Sequence, residues 1–75
     1  MNKDLSLKFG RLIREIRHEK KLSQEELAFR ADVHRTYVGM IERGEKNITL
    51  ENIDKFCKGL EVTMEFVFHK LKDEN

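Results

Sequence analysis

Arg35, Thr36 and Tyr37 are consecutive, and Gly39, Met40 and Arg43 follow at spacings that return to the same outward side of a helix. A guanidinium, a hydroxyl and a phenol grouped in this way can exchange hydrogen bonds with the base edges and phosphates of a duplex; the chemistry is recognition, not bond-making. Arg35 can pair two-toothed with guanine O6 and N7, a phosphate being its other available partner. Thr36 can offer its hydroxyl to a base edge or its methyl group to thymine, or serve only as a local cap. Tyr37 can stack or bond at the groove edge, or pack its ring on the helix that starts at Gln24 and leave only the hydroxyl for a phosphate.

Further donors flank this group. Gln24 opens the preceding helix, where free N–H groups and the helix dipole favour an anion, so a phosphate contact is expected there. Arg43, Lys46 and Asn47 lie around the following loop. Lys46 is the candidate to reach a base in a neighbouring groove, and Arg43 and Asn47 are candidates for phosphates, with ordinary solvated loop charge as the alternative for each.

Positioning such a face requires two short helices crossing over a tight turn, and the run QEELAFRADVHRTYVGMIERG from Gln24 to Gly44 has that pattern. Ala28 is small enough for the second helix to lie close to the first. Leu27, Val33, Val38 and Ile41 are the expected apolar contacts. Ser23 with Glu26 forms a capping box that starts the first helix of the pair at Gln24, and that helix ends near Ala31. Asp32 stands at a turn that favours a left-handed backbone, which Asp tolerates at a cost of ~1 kcal/mol. The second helix is expected from Arg35 to Arg43, with His34 at its cap and Gly44 as its stop.

The remaining segments read as helices too. Leu5, Phe9, Leu12, Ile13 and Ile16 recur every three to four residues, predicting a first helix over 6–20. Thr49 caps a fourth helix with a stripe of Leu50, Ile53, Cys57 and Leu60, widened by Phe56 and ended by Gly59 and the LEV stretch. Thr63 caps a fifth with Met64, Val67, Phe68 and Leu71 on one side and Phe66 off that line, before the polar tail KDEN frays. With no proline, no repeats and no strand-like alternation, the expected fold is all-α, a compact five-helix domain built around a helix-turn-helix and spanning residues 1–75.

A chain of 75 residues with one cysteine, Cys57, argues against an internal disulfide framework and a zinc finger. It has no apolar run near the ~20 residues of a membrane span and no apolar secretory stretch at its start, so a cytoplasmic location is expected. Net charge is +1, but residues 1–46 carry a net of +3 and residues 47–75 a net of −2. The asymmetry points DNA at the N-terminal part, and so moderate a field favours two copies on one site. His18, His34 and His69 lie near Glu15, Glu19, Asp32 and Glu65, yet no spacing suits a catalytic or metal site. No catalysis, metal or cofactor is expected.

The stretches LSQEELA and VHRTYVGMIERG resemble the Cro and phage-repressor family of helix-turn-helix proteins over residues 7–70. RTYVGMIERGEKNITLENIDKFCKGLEV further resembles the controller proteins of restriction-modification systems, which consist of this lambda-repressor-like domain alone. Mild departures stand at Val38, Gly39, Met40 and Lys46. The resemblance implies a homodimer on a palindromic operator, two dimers filling adjacent sites, and a promoter first activated and then repressed by its own product. It also implies that Glu42 is held by Arg17 as a structural ion pair.

Phe66, Phe68 and Leu71 exceed what so small a core can cover, so a dimer interface is expected on the last helix, the alternative being that two of them complete the monomer core. Exposed Glu25 or Asp32, beside the DNA face, is a candidate contact for RNA polymerase. An antitoxin or phage-type repressor is the rival within DNA binding, and a protein-interaction module that has lost the groove function is the rival outside it. The polar outer face of residues 35–47 speaks against the latter.

Overall fold

The computed structural model describes residues 3–73, which form five helices: α1 (Lys3–Glu19), α2 (Gln24–Ala31), α3 (Arg35–Glu42), α4 (Leu50–Leu60) and α5 (Met64–Asp73). Helix α1 starts three residues before the expected Ser6, and Ser6 is itself buried. Of the tail expected to fray, Lys72 and Asp73 belong to α5, and the last two residues lie outside those described.

Three of the described helices, α2, α4 and α5, start at a side-chain cap. Ser23 and Glu26 form the reciprocal capping box, the Ser23 hydroxyl accepting from the Glu26 N–H at 3.0 Å and the Glu26 carboxylate from the Ser23 N–H at 2.9 Å. That bond from the Ser23 backbone, and then the Ser23 hydroxyl, hold the Glu26 carboxyl below the usual range. The Thr49 hydroxyl accepts from the Asn52 N–H at 3.1 Å, and that of Thr63 from the Phe66 N–H at 2.9 Å. His34 occupies the cap position of α3 but forms no capping hydrogen bond through its side chain.

The ends repeat one device: after α1, α2, α3 and α4 the chain turns left-handed, at Lys21, Asp32, Gly44 and Glu61. The turn returns two N–H groups to the last carbonyls, as Glu45 to Met40 (2.9 Å) and Gly44 to Ile41 (3.0 Å) beyond α3. Gly59 does not stop α4. It lies inside the helix, buried against α2, where an added Cβ would come within 3.2 Å of the Ala31 backbone nitrogen; Glu61 makes the turn instead.

The core gathers Phe9, Leu12, Ile13 and Ile16 of α1, Leu27, Ala28 and Ala31 of α2, Val38 and Ile41 of α3, Ile53, Phe56, Cys57 and Leu60 of α4, and Val67 of α5. Val33 is half-buried at its margin. Leu50, expected in the α4 stripe, is 70% exposed, because the first residue of α4 lies a turn ahead of Ile53, where burial begins. On α5 only Val67 is fully buried; Met64 and Leu71 are partly covered, and Phe68, placed on the core side by periodicity, is exposed together with Phe66. Burial raises the Cys57 thiol above its usual pKa. No described helix is long and apolar enough to cross a membrane.

Candidate nucleic-acid interface

Helix α3 is fixed from three sides. Arg17 of α1 donates from Nε to Glu42 Oε2 at 2.6 Å, from Nη2 to Oε1 at 3.1 Å, and from Nη1 to the Leu22 carbonyl at 2.9 Å. Gln24 Nε2 of α2 adds a bond to Glu42 Oε1 at 3.0 Å. One carboxylate at the end of α3 therefore ties α1, α2 and the α1–α2 loop together, and no buried side-chain polar atom among the described residues lacks a partner. This uses one hydrogen of the Gln24 carboxamide and leaves the second able to donate to the phosphate that the sequence assigns to it.

The approach of α1 is set by Gly10. A Cβ there would stand 2.2 Å from the Ile41 carbonyl oxygen and 2.7 Å from that of Glu42, so the two backbones touch where α3 ends. Gly44, at φ +73°, makes the turn that follows. Sequence periodicity did not single out Gly10. Its signal was a glycine inside an amphipathic helix, which costs helix stability and so implies a close contact.

With α3 fixed, Arg35 and Thr36 stand exposed on its first turn. Tyr37 is half-buried: its ring meets Phe56 of α4 edge-on, centroids 6.0 Å apart, and its oxygen accepts from Asn52 Nδ2 at 3.0 Å. The packing partner is thus α4, where the inward reading of Tyr37 placed the ring on the helix that starts at Gln24. Because Asn52 uses the phenol as an acceptor, the Tyr37 O–H remains able to donate.

Two residues expected on the outward face are not open. Gly39 is buried and Met40 half-buried. What lies over Gly39 is the Arg43 guanidinium, with Nη1 3.0 Å from where a Cβ would be. Arg43 also pairs with Glu45, Nε to Oε2 at 2.8 Å and Nη2 to Oε1 at 3.2 Å. These bonds raise the pKa of Arg43 and lower that of Glu45. Sequence reading passed over Glu45 because an acid on a candidate DNA face carries no positive signal.

Arg43, Lys46 and Asn47 converge on one concavity of about 550 Å³, which Lys3 and Ser6 of α1 complete. The Ser6 hydroxyl reaches Asn47 Oδ1 at 3.4 Å. Arg35 stands apart from this cluster, beside a shallow depression shared with Glu25, Phe29 and Val33. Phe29 was missed by sequence reading. It is 88% exposed, and its signal was an aromatic off the apolar line of Leu27, Ala28 and Ala31.

Phe66, 40% exposed, shares a groove between α1 and α5 with Leu12, Ile16, Glu15, Glu19 and Lys70, and the Lys70 ammonium lies 5.7 Å above its ring. This groove is separate from the concavity that Arg43 and Lys46 line. Among the described residues no group of three or more His, Cys, Asp or Glu could hold a metal ion.

A helix-turn-helix family matches residues 13–67. The control protein C.BamHI of Bacillus amyloliquefaciens is 49% identical over 83% of this chain and 78% of its own length. C.MunI of a Mycoplasma species is 38% identical over 95% of this chain and 97% of its own. Among solved structures, the restriction-modification controller protein C.Esp1396I, a tetramer in complex with its natural 35 base-pair operator, superposes with a TM-score of 0.89 at 38% identity, covering 93% of this chain and 92% of that one. The chain belongs to this helix-turn-helix family, among the DNA-binding controller proteins of restriction-modification systems.

Proposed function

We propose that the chain acts in the cytoplasm as a homodimer on a palindromic operator, first activating and then repressing its own promoter as a second dimer fills an adjacent site. The observation that carries this reading is the fixing of α3 by Gly10, Arg17 and Gln24 while Arg35 and Thr36 on its first turn stay open. Two such helices related by a twofold axis enter successive major grooves about 34 Å apart. The occupancy of the operator by C.Esp1396I as a tetramer supports a pair of dimers.

In this reading residues 1–75 are a single DNA-binding and dimerisation domain. Arg35 and Thr36 read base edges, Tyr37 donates at the groove edge, and Lys46 reaches from the loop into the neighbouring groove. Asn47 meets a phosphate. At the start of α2 Gln24 meets a phosphate with its second amide hydrogen, the first being held by Glu42, beside the backbone N–H groups of the first turn. Phe66, Phe68 and Leu71 form the dimer seam. Glu25, exposed beside Phe29, or Asp32, exposed at the α2–α3 turn, touches RNA polymerase when the promoter is activated. The protein performs no catalysis of its own.

Selection from a random duplex library at near-physiological salt tests this, with Arg35→Ala as the control. A palindrome with half-sites about one helical turn apart, relaxed at one base position by the control, is expected. A folded protein that enriches no sequence overturns the reading.

A further inference from the structure

Two glycines press the first turns of α1 against the loop that follows α3. At Gly10 the α1 backbone meets the carbonyls that end α3, and at Gly44 an added Cβ would lie 2.6 Å from Leu7 Cδ2 and 3.0 Å from Leu7 Cα. Lys3, Leu7 and Gly10 follow at i, i+4 and i+7, so they share one side of α1. The line that touches α3 at Gly10 and its turn at Gly44 therefore runs on to Lys3. There Lys3 and Ser6 form one wall of the concavity of about 550 Å³ whose other wall is the loop from Arg43 to Asn47.

The groups on these walls suit an anion. Ser6 is 5% exposed, and its hydroxyl donates to Asn47 Oδ1 at 3.4 Å, the long end of the hydrogen-bond range. That engages the amide oxygen of Asn47 and leaves both Nδ2 hydrogens to donate. Lys3 and Lys46 add two ammonium groups. Glu45 is the one carboxylate of the lining, and both its oxygens are bound by Arg43. The lining thus holds three cations and one anion, a net of +2, with the anion already paired. A free anion would give up its own translational freedom for a few exposed donors, whereas a phosphate on a duplex that other contacts already hold loses little more. The concavity therefore favours the duplex backbone.

We propose that this concavity seats one backbone phosphate of the operator, that Lys3 of α1 binds it, and that Ser6 is a positioning residue which leaves the Asn47 amide with only donors to offer. This rests on the operator-binding reading above. Arg43, for which the loop position suggests a phosphate, stands at the rim with Nε and Nη2 held by Glu45, so Lys3 supplies the larger share of the charge. The contact carries no sequence information. It sets the register of α3 by holding α1 and the loop to one point on one strand.

The test measures binding of the selected duplex against salt for the unmodified protein, Lys3→Gln, Ser6→Ala, Asn47→Ala and the Ser6→Ala, Asn47→Ala double variant, each shown to be folded by circular dichroism. It is repeated on duplexes in which one phosphate at a time is a neutral methylphosphonate. Lys3→Gln is expected to keep the motif, to weaken binding several-fold at near-physiological salt, and to lower the salt slope by about one per subunit. Lys58→Gln, the same charge change on α4 outside the concavity, should leave the slope as it was. One methylphosphonate position should weaken the unmodified protein and cost Lys3→Gln little more, the contact being already lost. Ser6→Ala should weaken binding through that same position and add nothing to Asn47→Ala.

A slope unchanged by Lys3→Gln, a fall matched by Lys58→Gln, or a methylphosphonate profile identical in Lys3→Gln and the unmodified protein overturns the phosphate seat. A Ser6→Ala effect that adds in full to that of Asn47→Ala overturns the positioning role. A protein that selects no motif has failed the operator reading itself, and the seat goes with it; one that selects a motif and gives any of the former results fails here alone.

Discussion

Arg17 and Glu42 meet as a two-toothed ion pair with side chains 9% and 3% exposed, and the third guanidinium nitrogen of Arg17 closes on the Leu22 carbonyl. The pair joins α1 to the end of the reading helix, so its loss acts on stability and on the angle of α3 together. Arg17→Ala leaves a buried carboxylate with only Gln24, and an unpaired buried charge costs about 3–5 kcal/mol. Thermal unfolding is expected to fall by roughly 12 °C or more. Arg17→Lys should recover only part of this, because an ammonium cannot bridge both oxygens and the carbonyl in one plane.

Gly10 and Gly39 predict opposite responses to the same change. Gly10→Ala drives a methyl group into two carbonyl oxygens of α3, neither of which can rotate away, and a loss of about 3 kcal/mol is expected. Gly39→Ala meets only the movable Arg43 guanidinium, and alanine improves helix propensity. Its unfolding temperature should hold or rise. Urea unfolding of the two variants side by side checks the contrast; equal destabilisation would contradict it.

Spacing made the helices legible because each has a periodic apolar face and most have a polar cap written beside them, as Ser23, Thr49 and Thr63 are. The exposed Arg35 and Thr36 were legible for the same reason: phase along α3 places them. Long-range compensation was not. Nothing local to Gly10 names Ile41 as its neighbour, and nothing local to Tyr37 names Asn52. Phe68 misled because α5 is an end helix with one covered line, so a side chain slightly off that line is left outside. Gly59 misled because a glycine near a helix end satisfies two needs, a left-handed turn or a close helix crossing, and here α2 required the second.

The left-handed positions show where the chain is locally strained. Lys21 (φ 59°) and Glu61 (φ 60°) carry a Cβ where the backbone disfavours one, and both are exposed. The conformation costs ~1–2 kcal/mol for an L-residue, partly offset by the greater freedom glycine has when unfolded. Lys21→Gly and Glu61→Gly are each expected to stabilise by about 0.5–1 kcal/mol and to add, being on separate turns. Chemical unfolding of the double variant tests this, and no gain would show that the side chains contribute more than the turn costs.

Glu26 supplies a pH dependence of known sign. Its pKa is lowered in the folded chain, first by the Ser23 backbone N–H, so its contribution is present above the ordinary glutamate range and is lost as pH falls through the lowered folded value. Glu26→Gln keeps an acceptor for that N–H but removes the titration. The variant should be slightly less stable than the parent near neutrality when far-ultraviolet circular dichroism follows unfolding, and should converge with it on the acid side, where its loss of stability is flatter. An unchanged acid limb would place the dependence on other carboxylates.

Phe66 and Phe68, 40% and 41% exposed on either side of buried Val67, leave α5 with apolar surface that the monomer does not cover. The groove that holds Phe66 carries both signs of charge, Glu15 and Glu19 on α1 and Lys70 on α5, so a second copy turned by a twofold can place each sign against the other. Sedimentation at micromolar concentration is expected to give a dimer. The pair Phe66→Ser and Phe68→Ser should give a folded monomer whose unfolding temperature no longer rises with concentration, since the bound state alone gains from mass action. Operator affinity should then fall far more than the affinity of either half-site, because the link between two reading helices is lost while each α3 stays intact. A parent chain that is monomeric at micromolar concentration would overturn the seam, and Phe66 would then be held in its groove by Lys70 and α1 within one molecule.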